Sequence, residues 1–179
     1  MVNYKIILSN PGDYTAAFFQ KLTTKFSNLD TESDISSDDI LMLDEAIMNL
    51  ITNAKSSLDI MAPFQTNIDG KILSQIIRVI ENGIDVRILT RYCFEKERCF
   101  DRNTIANYVR HFDHLEETNK KGSLHAKVII SDKRDVYFGS GELMESSLNQ
   151  NLEIGILTDD PKTVTIICNV FDSAWELAQ

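Results

Sequence analysis

The residues best suited to chemistry in this 179-residue chain lie in one run, His125-Ala126-Lys127-Val128-Ile129-Ile130-Ser131-Asp132, followed by Gly139-Ser140-Gly141. An imidazole can attack or protonate, and a nearby ammonium can stabilise developing negative charge. Residues i and i+2 of a strand share a face. The apolar run therefore predicts a strand over 124–130 with His125 and Lys127 pointing the same way. A second strand over 136–139, joined by a four-residue turn from Asp132 to Asp135, places Lys127 opposite Ser140 and His125 opposite Glu142 in simple antiparallel register. Imidazole, ammonium and hydroxyl on one face can hold and attack a phosphate. Asp132 falls in the turn, where aspartate commonly bonds the backbone.

The elements that must position this group follow from periodicity. Short strands are expected over 4–8, 57–62, 85–90 and 152–157. Residues 14–27 predict a helix, with Ala17, Phe18, Leu22 and Phe26 on one side. A second helix is capped by Ser37-Asp38-Asp39 and carries Ile40, Leu43, Ile47, Leu50, Ile51 and Ala54 at helical spacing. A third spans about 69–81, with Gly83 as its stop. Further helices are expected over about 103–111 and 161–177, the last with a strand-like run at 164–168. Residues 28–39 form an acidic, Ser-rich linker and 92–102 a charged loop. Strand–helix alternation with late consecutive strands indicates an α/β layered domain with a central mixed β-sheet flanked by helices.

Composition narrows the classes. The hydrophobic fraction of 43% suffices for a sizeable core. No apolar run approaches a membrane span and no secretory leader is visible, so a cytoplasmic location is expected. The cysteines, Cys93, Cys99 and Cys168, are odd in number and widely spaced, which fits neither a disulfide framework nor a zinc site. His111 and His114 look like a metal pair at first sight, but they are better read as a surface helix end. Phe171 and Trp175, four apart, are read as core-packing residues. The net charge of −9 argues against an indiscriminate nucleic-acid binder. Charge is uneven, however: seven acids lie between Lys25 and Lys55, and Lys120, Lys121, Lys127, Lys133 and Arg134 cluster around His125 with only Asp132 among them. A local positive field can persist there.

The HxKxxxxD run followed by Gly-Ser resembles the signature of the phospholipase D superfamily, HxKxxxxD with GSxN. The resemblance continues in the strand Ser57-Leu58-Asp59-Ile60-Met61-Ala62 ending at Pro63, and in the strand Asp85 to Thr90 after Gly83. It continues further in Asn151 and Glu153, which match an N-x-E element, and in Phe171 and Trp175, which match a closing helix. Residues 38–179 resemble one half of such a fold, and 1–37 are an N-terminal strand/helix extension with an acidic linker. The resemblance implies a metal-independent phosphodiesterase needing no cofactor. One His attacks phosphorus to give a phosphohistidine, and a second protonates the leaving oxygen. Carried over, His125 is nucleophile or acid, Lys127 and Ser140 stabilise charge, Glu153 orients His125, Asn151 contacts substrate, and Asp132 completes the signature.

Only one signature is present, whereas the chemistry needs two histidines. Two-fold symmetry supplies the second, so a homodimer with the site on its axis is expected, as in small single-signature endonucleases of the family. A phosphodiester substrate is implied, with nucleic acid the leading class. The chain departs from GSxN at Glu142, where the family has Asn. A carboxylate cannot donate when ionised, and it repels a phosphodiester. Glu142 either turns away, with Asn149 or Asn151 in its place, or is protonated or paired with Lys127, or marks a weakened site. A catalytically inactive binding module is therefore the alternative, and a lipid phosphodiesterase a third reading.

Overall fold

The computed structural model describes residues 4–9, 12–27, 39–64, 68–91, 103–112 and 123–178. Its elements are β1 (Tyr4–Leu8), α1 (Thr15–Ser27), β2 (Ile40–Met42), α2 (Leu43–Asn53), β3 (Ser57–Met61), α3 (Gly70–Glu81), β4 (Asp85–Thr90), β5 (Val109–His111), β6 (Val128–Ser131), β7 (Asp135–Gly139), α4 (Glu145–Asn149), β8 (Ile154–Thr158) and α5 (Pro161–Leu177). The strands join one sheet in the order β2-β1-β8-β7-β6-β3-β4-β5. Pairing is parallel for β1–β2, β3–β4 and β4–β5, and antiparallel elsewhere. The mixed α/β sheet expected from the sequence is therefore present.

Both faces of the central strands are covered, which is why β3 and β6 are near-continuous apolar runs. On one face α2 buries Leu43, Ala46, Ile47, Leu50 and Ile51, and α3 buries Ile72, Ile76, Val79 and Ile80. They pack on Leu58, Ile60, Val86, Ile88, Ile129 and Tyr137. On the other face Val164 and Phe171 of α5 meet Met61, Leu89, Val128, Ile130 and Val136. The helix ends follow local chemistry. The Asp69 carboxylate accepts the Lys71 and Ile72 N–H groups at the start of α3, and Gly83, at φ 77°, ends it. Asp160 caps α5, with Pro161 at its first position.

Several boundaries differ from the sequence reading. Ile40–Met42 is a strand, not the first turn of α2, because it pairs with Ile6–Leu8. The expected Ser37-Asp38 cap lies outside the described residues, and Met42 holds the N-cap position without a side-chain bond. The helix expected over 103–111 is a 3-10 helix to Tyr108 followed by β5, since the edge of β4 offers Val109–His111 a partner. Residues 164–168 are helical despite their β-forming side chains. The strand expected over 124–130 is β6, starting at Val128, so His125 and Lys127 precede it.

The hairpin register is one residue from the expected one. Ser131 pairs with Asp135 and Val128 with Phe138, which sets Lys127 level with Gly139 rather than Ser140. The turn is tighter than four residues because Asp132 and Lys133 both adopt positive φ, 55° and 51°, and the Arg134 N–H bonds Ser131 O at 3.0 Å. A one-residue slip in a strand pair changes which side chains share a face, so Ser140 is not set beside Lys127 by simple cross-strand pairing.

Candidate active site

The registers bring one set of strand ends together. Met61, Val128 and Phe138 are level across β3, β6 and β7, and Phe138 is level with Ile156. Residues just beyond the carboxyl ends of β1, β3, β4 and β7, and just before β6 and β8, therefore share one end of the sheet. These are Ser9, Phe64, Arg91, Ser140, Lys127 and Glu153. The carboxyl edge of parallel strands is where open α/β sheets bind ligands.

The first group at this end is cationic. Lys127 Nζ lies 3.4 Å from His125 Nδ1, 3.2 Å from His125 O and 3.1 Å from Glu142 Oε1. The Phe64 ring sits edge-on to the imidazole, centroids 5.9 Å apart. Lys127 Nζ and Arg91 Cζ lie 5.5 and 5.2 Å from that ring's centroid, within cation–π range. Arg91 also donates to Ser123 Oγ. An ammonium has only donors, so Nδ1 accepts here, and the proton of a neutral His125 is on Nε2. The imidazole is exposed, and Nε2 has no partner among the described residues.

The second group is built on Glu153. Its Oε2 accepts from Ser140 Oγ at 2.6 Å, and its Oε1 accepts from Ser147 Oγ at 2.8 Å and Asn151 Nδ2 at 3.4 Å. The backbone fixes the group further. Glu153 N donates to Ser9 Oγ at 2.7 Å, and Ile154 N donates to Ser140 Oγ at 3.1 Å. Gly139 permits the close strand approach behind Ser140, since a Cβ there would lie 2.6 Å from Gly155 Cα and Ile154 O. The Tyr137 hydroxyl, buried beneath, accepts Gly141 N at 3.1 Å and tethers the Gly-Ser-Gly turn. Burial pushes that phenol's pKa above its ordinary value.

His125 and Lys127 are thus brought together, and Ser140, Asn151 and Glu153 are brought together beside them. Glu153 engages Ser140, Ser147 and Asn151, not His125 as expected. Glu142 takes up Lys127, which is one of the alternatives open in the sequence. Asp132 stands apart, at the opposite end of β6 and roughly 16 Å along the strand from Lys127 at ~3.3 Å per residue. Its carboxylate accepts the N–H groups of Lys55, Ser56 and Ser57 and the Ser56 hydroxyl, at 2.7–3.1 Å. It locks the α2–β3 connection to the hairpin turn. Arg91, Phe64, Ser9 and Ser147 were not singled out from the sequence. Pro63-Phe64 and Thr90-Arg91, as strand-end residues, were the available signal. His111 Nδ1 lies 3.2 Å from Arg91 O. His114, Cys93, Cys99, Lys120 and Lys121 lie outside the described residues. Among the described residues no three His, Cys, Asp or Glu side chains group to hold a metal, and no helix is long and apolar enough to cross a membrane.

Desolvation is the largest single influence on Asp132 and raises its pKa. The four donors from Ser56, Ser57 and Lys55 together outweigh it and bring the pKa from 3.8 to about 2. A depressed folded pKa gives stability that is present above the unfolded value and lost as pH falls through the folded one. Asp132→Asn is therefore expected to be less stable than wild type at pH near 6, with the gap closing between about pH 4 and about pH 2. Urea unfolding across that range checks it.

A family model described as "Cardiolipin synthase, PLD-like domain" matches residues 47–175. The chain belongs to this phospholipase D-like family. It is 30% identical over 162 residues to "Phospholipase D Y" of Dictyostelium discoideum, covering 81% of this chain and 36% of that protein. It is 28% identical over 138 residues to the "Virion nicking-joining enzyme" of Vaccinia virus (strain Copenhagen), covering 72% and 32%. The chain thus spans about a third of the length of these curated relatives. Among solved structures, NucT from Helicobacter pylori superposes with a TM-score of 0.67 at 18% identity, covering 98% of both chains. The phospholipase D family member Nuc from Salmonella typhimurium gives 0.63 at 18%, covering 99% of this chain and 97% of that one. At these identities the likeness is one of fold.

Proposed function

We propose that the chain is a metal-independent phosphodiesterase of the nuclease kind, working as a homodimer through a phosphohistidine. The observation that carries this is the exposed His125 beside Lys127, with Arg91 over the neighbouring Phe64 ring, at the carboxyl edge of the sheet and beside the Ser140–Glu153 frame. In the reaction, Nε2 of one His125 attacks phosphorus. The P–N bond forms as the P–O bond to the leaving group breaks, and the His125 of a second copy protonates the leaving oxygen. Water then attacks the phosphohistidine, giving its proton to the second imidazole, and the P–N bond breaks. The acid is the imidazolium, protonated on both nitrogens, and its loss of the Nε2 proton leaves a neutral ring able to take the proton from water. The nucleophilic form needs the proton on Nδ1, which becomes free to donate when Lys127 turns to the phosphate. The fold shared with NucT and Nuc supports the reading of a nuclease-like phosphodiesterase.

The sequence carries one signature histidine, and on this reading a second copy supplies the other. Apolar surface beside the site supports that occupant. Ile154 directly follows Glu153 and is 61% exposed, and Ile166 and Val170, 52% and 54% exposed, lie one turn apart on α5. A shallow hollow between α5 and the sheet, lined by Met61, Phe138, Ile167 and Val170, opens beside Lys127. Light scattering is expected to give a dimer. Ile154→Glu with Val170→Glu is expected to give a folded monomer without turnover. A fully active monomer contradicts the shared site.

The test of activity is cleavage in EDTA of single- and double-stranded DNA, RNA, a chromogenic phosphodiester and phosphatidylcholine vesicles. Nucleic-acid cleavage is the expected result. Cleavage of the vesicles alone favours the lipid reading. The Lys127–Glu142 pair favours a second reading, a binding module whose phosphate site is masked. Tungstate bound at His125 with no turnover of any diester is the outcome that supports it.

A further inference from the structure

Glu142 is the most unusual group at the site. Its side chain is only 5% exposed. One carboxylate oxygen faces Lys127 Nζ at 3.1 Å, and the other, Oε2, is buried with no hydrogen-bond partner among the described residues. An ionised carboxylate with an orphaned buried oxygen is costly to hold. The groups facing it from the surrounding elements are Lys127 ahead of β6, Arg91 after β4, Glu153 ahead of β8 and Tyr137 on β7, with His125 beyond Lys127. An empty site is near balance, because Lys127 is matched by Glu142. A phosphodiester placed on Lys127 adds a second anion to the same ammonium, and like charges in a desolvated pocket disfavour each other.

We propose that Glu142 couples substrate entry to proton uptake: it holds Lys127 in the empty site, and a phosphodiester binds together with one proton, which Glu142 takes from solvent. This rests on the phosphodiester reading of the site. The protonated carboxyl is neutral, so Lys127 is released to the phosphate. A proton on Oε2 converts an orphaned acceptor into a donor. Burial, the largest influence, already pushes the Glu142 pKa upward. Lys127 and Arg91 oppose this and Glu153 adds to it. The same physics means the ionised residue costs stability above its unfolded pKa, which Glu142→Gln removes.

The test measures binding of bis(4-nitrophenyl) phosphate to full-length His125→Ala protein, in which the imidazole's own titration is gone. Affinity is expected to fall as pH rises, by up to about tenfold per pH unit above the Glu142 pKa. Calorimetry in buffers of different ionisation heat is expected to count one proton taken up per ligand. With Glu142→Gln added, affinity is expected to be flat with pH and higher than the parent's at the alkaline end. Binding that is flat with pH and takes up no proton when Glu142 is intact overturns the coupling and leaves the phosphodiester site standing. Loss of binding in a folded Glu142→Gln protein also overturns it, since the carboxylate is then needed in its charged form. No binding by either protein at any pH overturns the phosphodiester reading itself.

Discussion

His125→Ala is expected to lose diester turnover by roughly four to six orders of magnitude, the scale seen when a nucleophile or its proton partner is removed. One substitution removes both roles, because the second copy loses its imidazole too. The fold should survive. The ring is exposed, and among the described residues it meets the Phe64 ring and has Lys127 as its one side-chain hydrogen-bond partner. The measurement is kcat on the preferred substrate in EDTA, with thermal unfolding beside it. Undiminished turnover in a purified variant assigns the chemistry elsewhere. Mixing inactive His125→Ala with inactive Ile154→Glu/Val170→Glu chains is not expected to restore activity, since neither can complete a site.

Arg87→Met is expected to destabilise the protein by about 3–5 kcal/mol, the range for breaking a buried ion pair from one side. Parallel pairing of β3 and β4 sets Arg87 level with Asp59, on the face beneath α5. The guanidinium makes two bonds of 2.7 Å to the Asp59 carboxylate, which is 2% exposed, and one contact of 2.8 Å to Asp172 of α5. It also lies 4.8 Å from the Phe171 centroid, with Trp175 stacked on Phe171 behind it. Arg87 therefore ties the closing helix to the sheet, and its loss strands the Asp59 charge. Replacing both partners, as Asp59→Leu with Arg87→Met, is expected to recover most of the loss, because a pair of apolar side chains leaves no orphaned charge. Urea denaturation of the single and double variants checks the pair. Equal stability of Arg87→Met and wild type contradicts the anchoring role.

The parts of the fold legible in the sequence are those set by local periodicity. The apolar spacing of α2 and α3 and the runs of β3, β4 and β6 needed only their own segments. Elements fixed by a distant partner were not legible. Ile40–Met42 is a strand because β1 offers a free edge, and Val109–His111 is one because β4 does. The hairpin register depended on positive φ at Asp132 and Lys133, a conformation that glycine would advertise and these residues do not. At the site, His125, Lys127, Ser140 and Glu153 are named by the sequence motif, and the structure places them at one end of the sheet. What sequence spacing could not give was their grouping. Glu153 serves Ser140, Ser147 and Asn151, and Lys127 is held by Glu142, because those partners converge from separate loops. Asp132 illustrates the limit of a motif. It closes the signature in sequence, yet it sits at the far end of β6, binding the backbone of Lys55 to Ser57.

The central claim is that His125 becomes covalently bonded to phosphorus. The most direct measurement is the stereochemical course at phosphorus, using a chiral phosphorothioate diester hydrolysed in oxygen-18 water. Each in-line displacement inverts the centre, so attack by His125 followed by attack of water predicts net retention. Net inversion, the mark of direct attack by water, contradicts the phosphohistidine and reduces His125 to a proton donor.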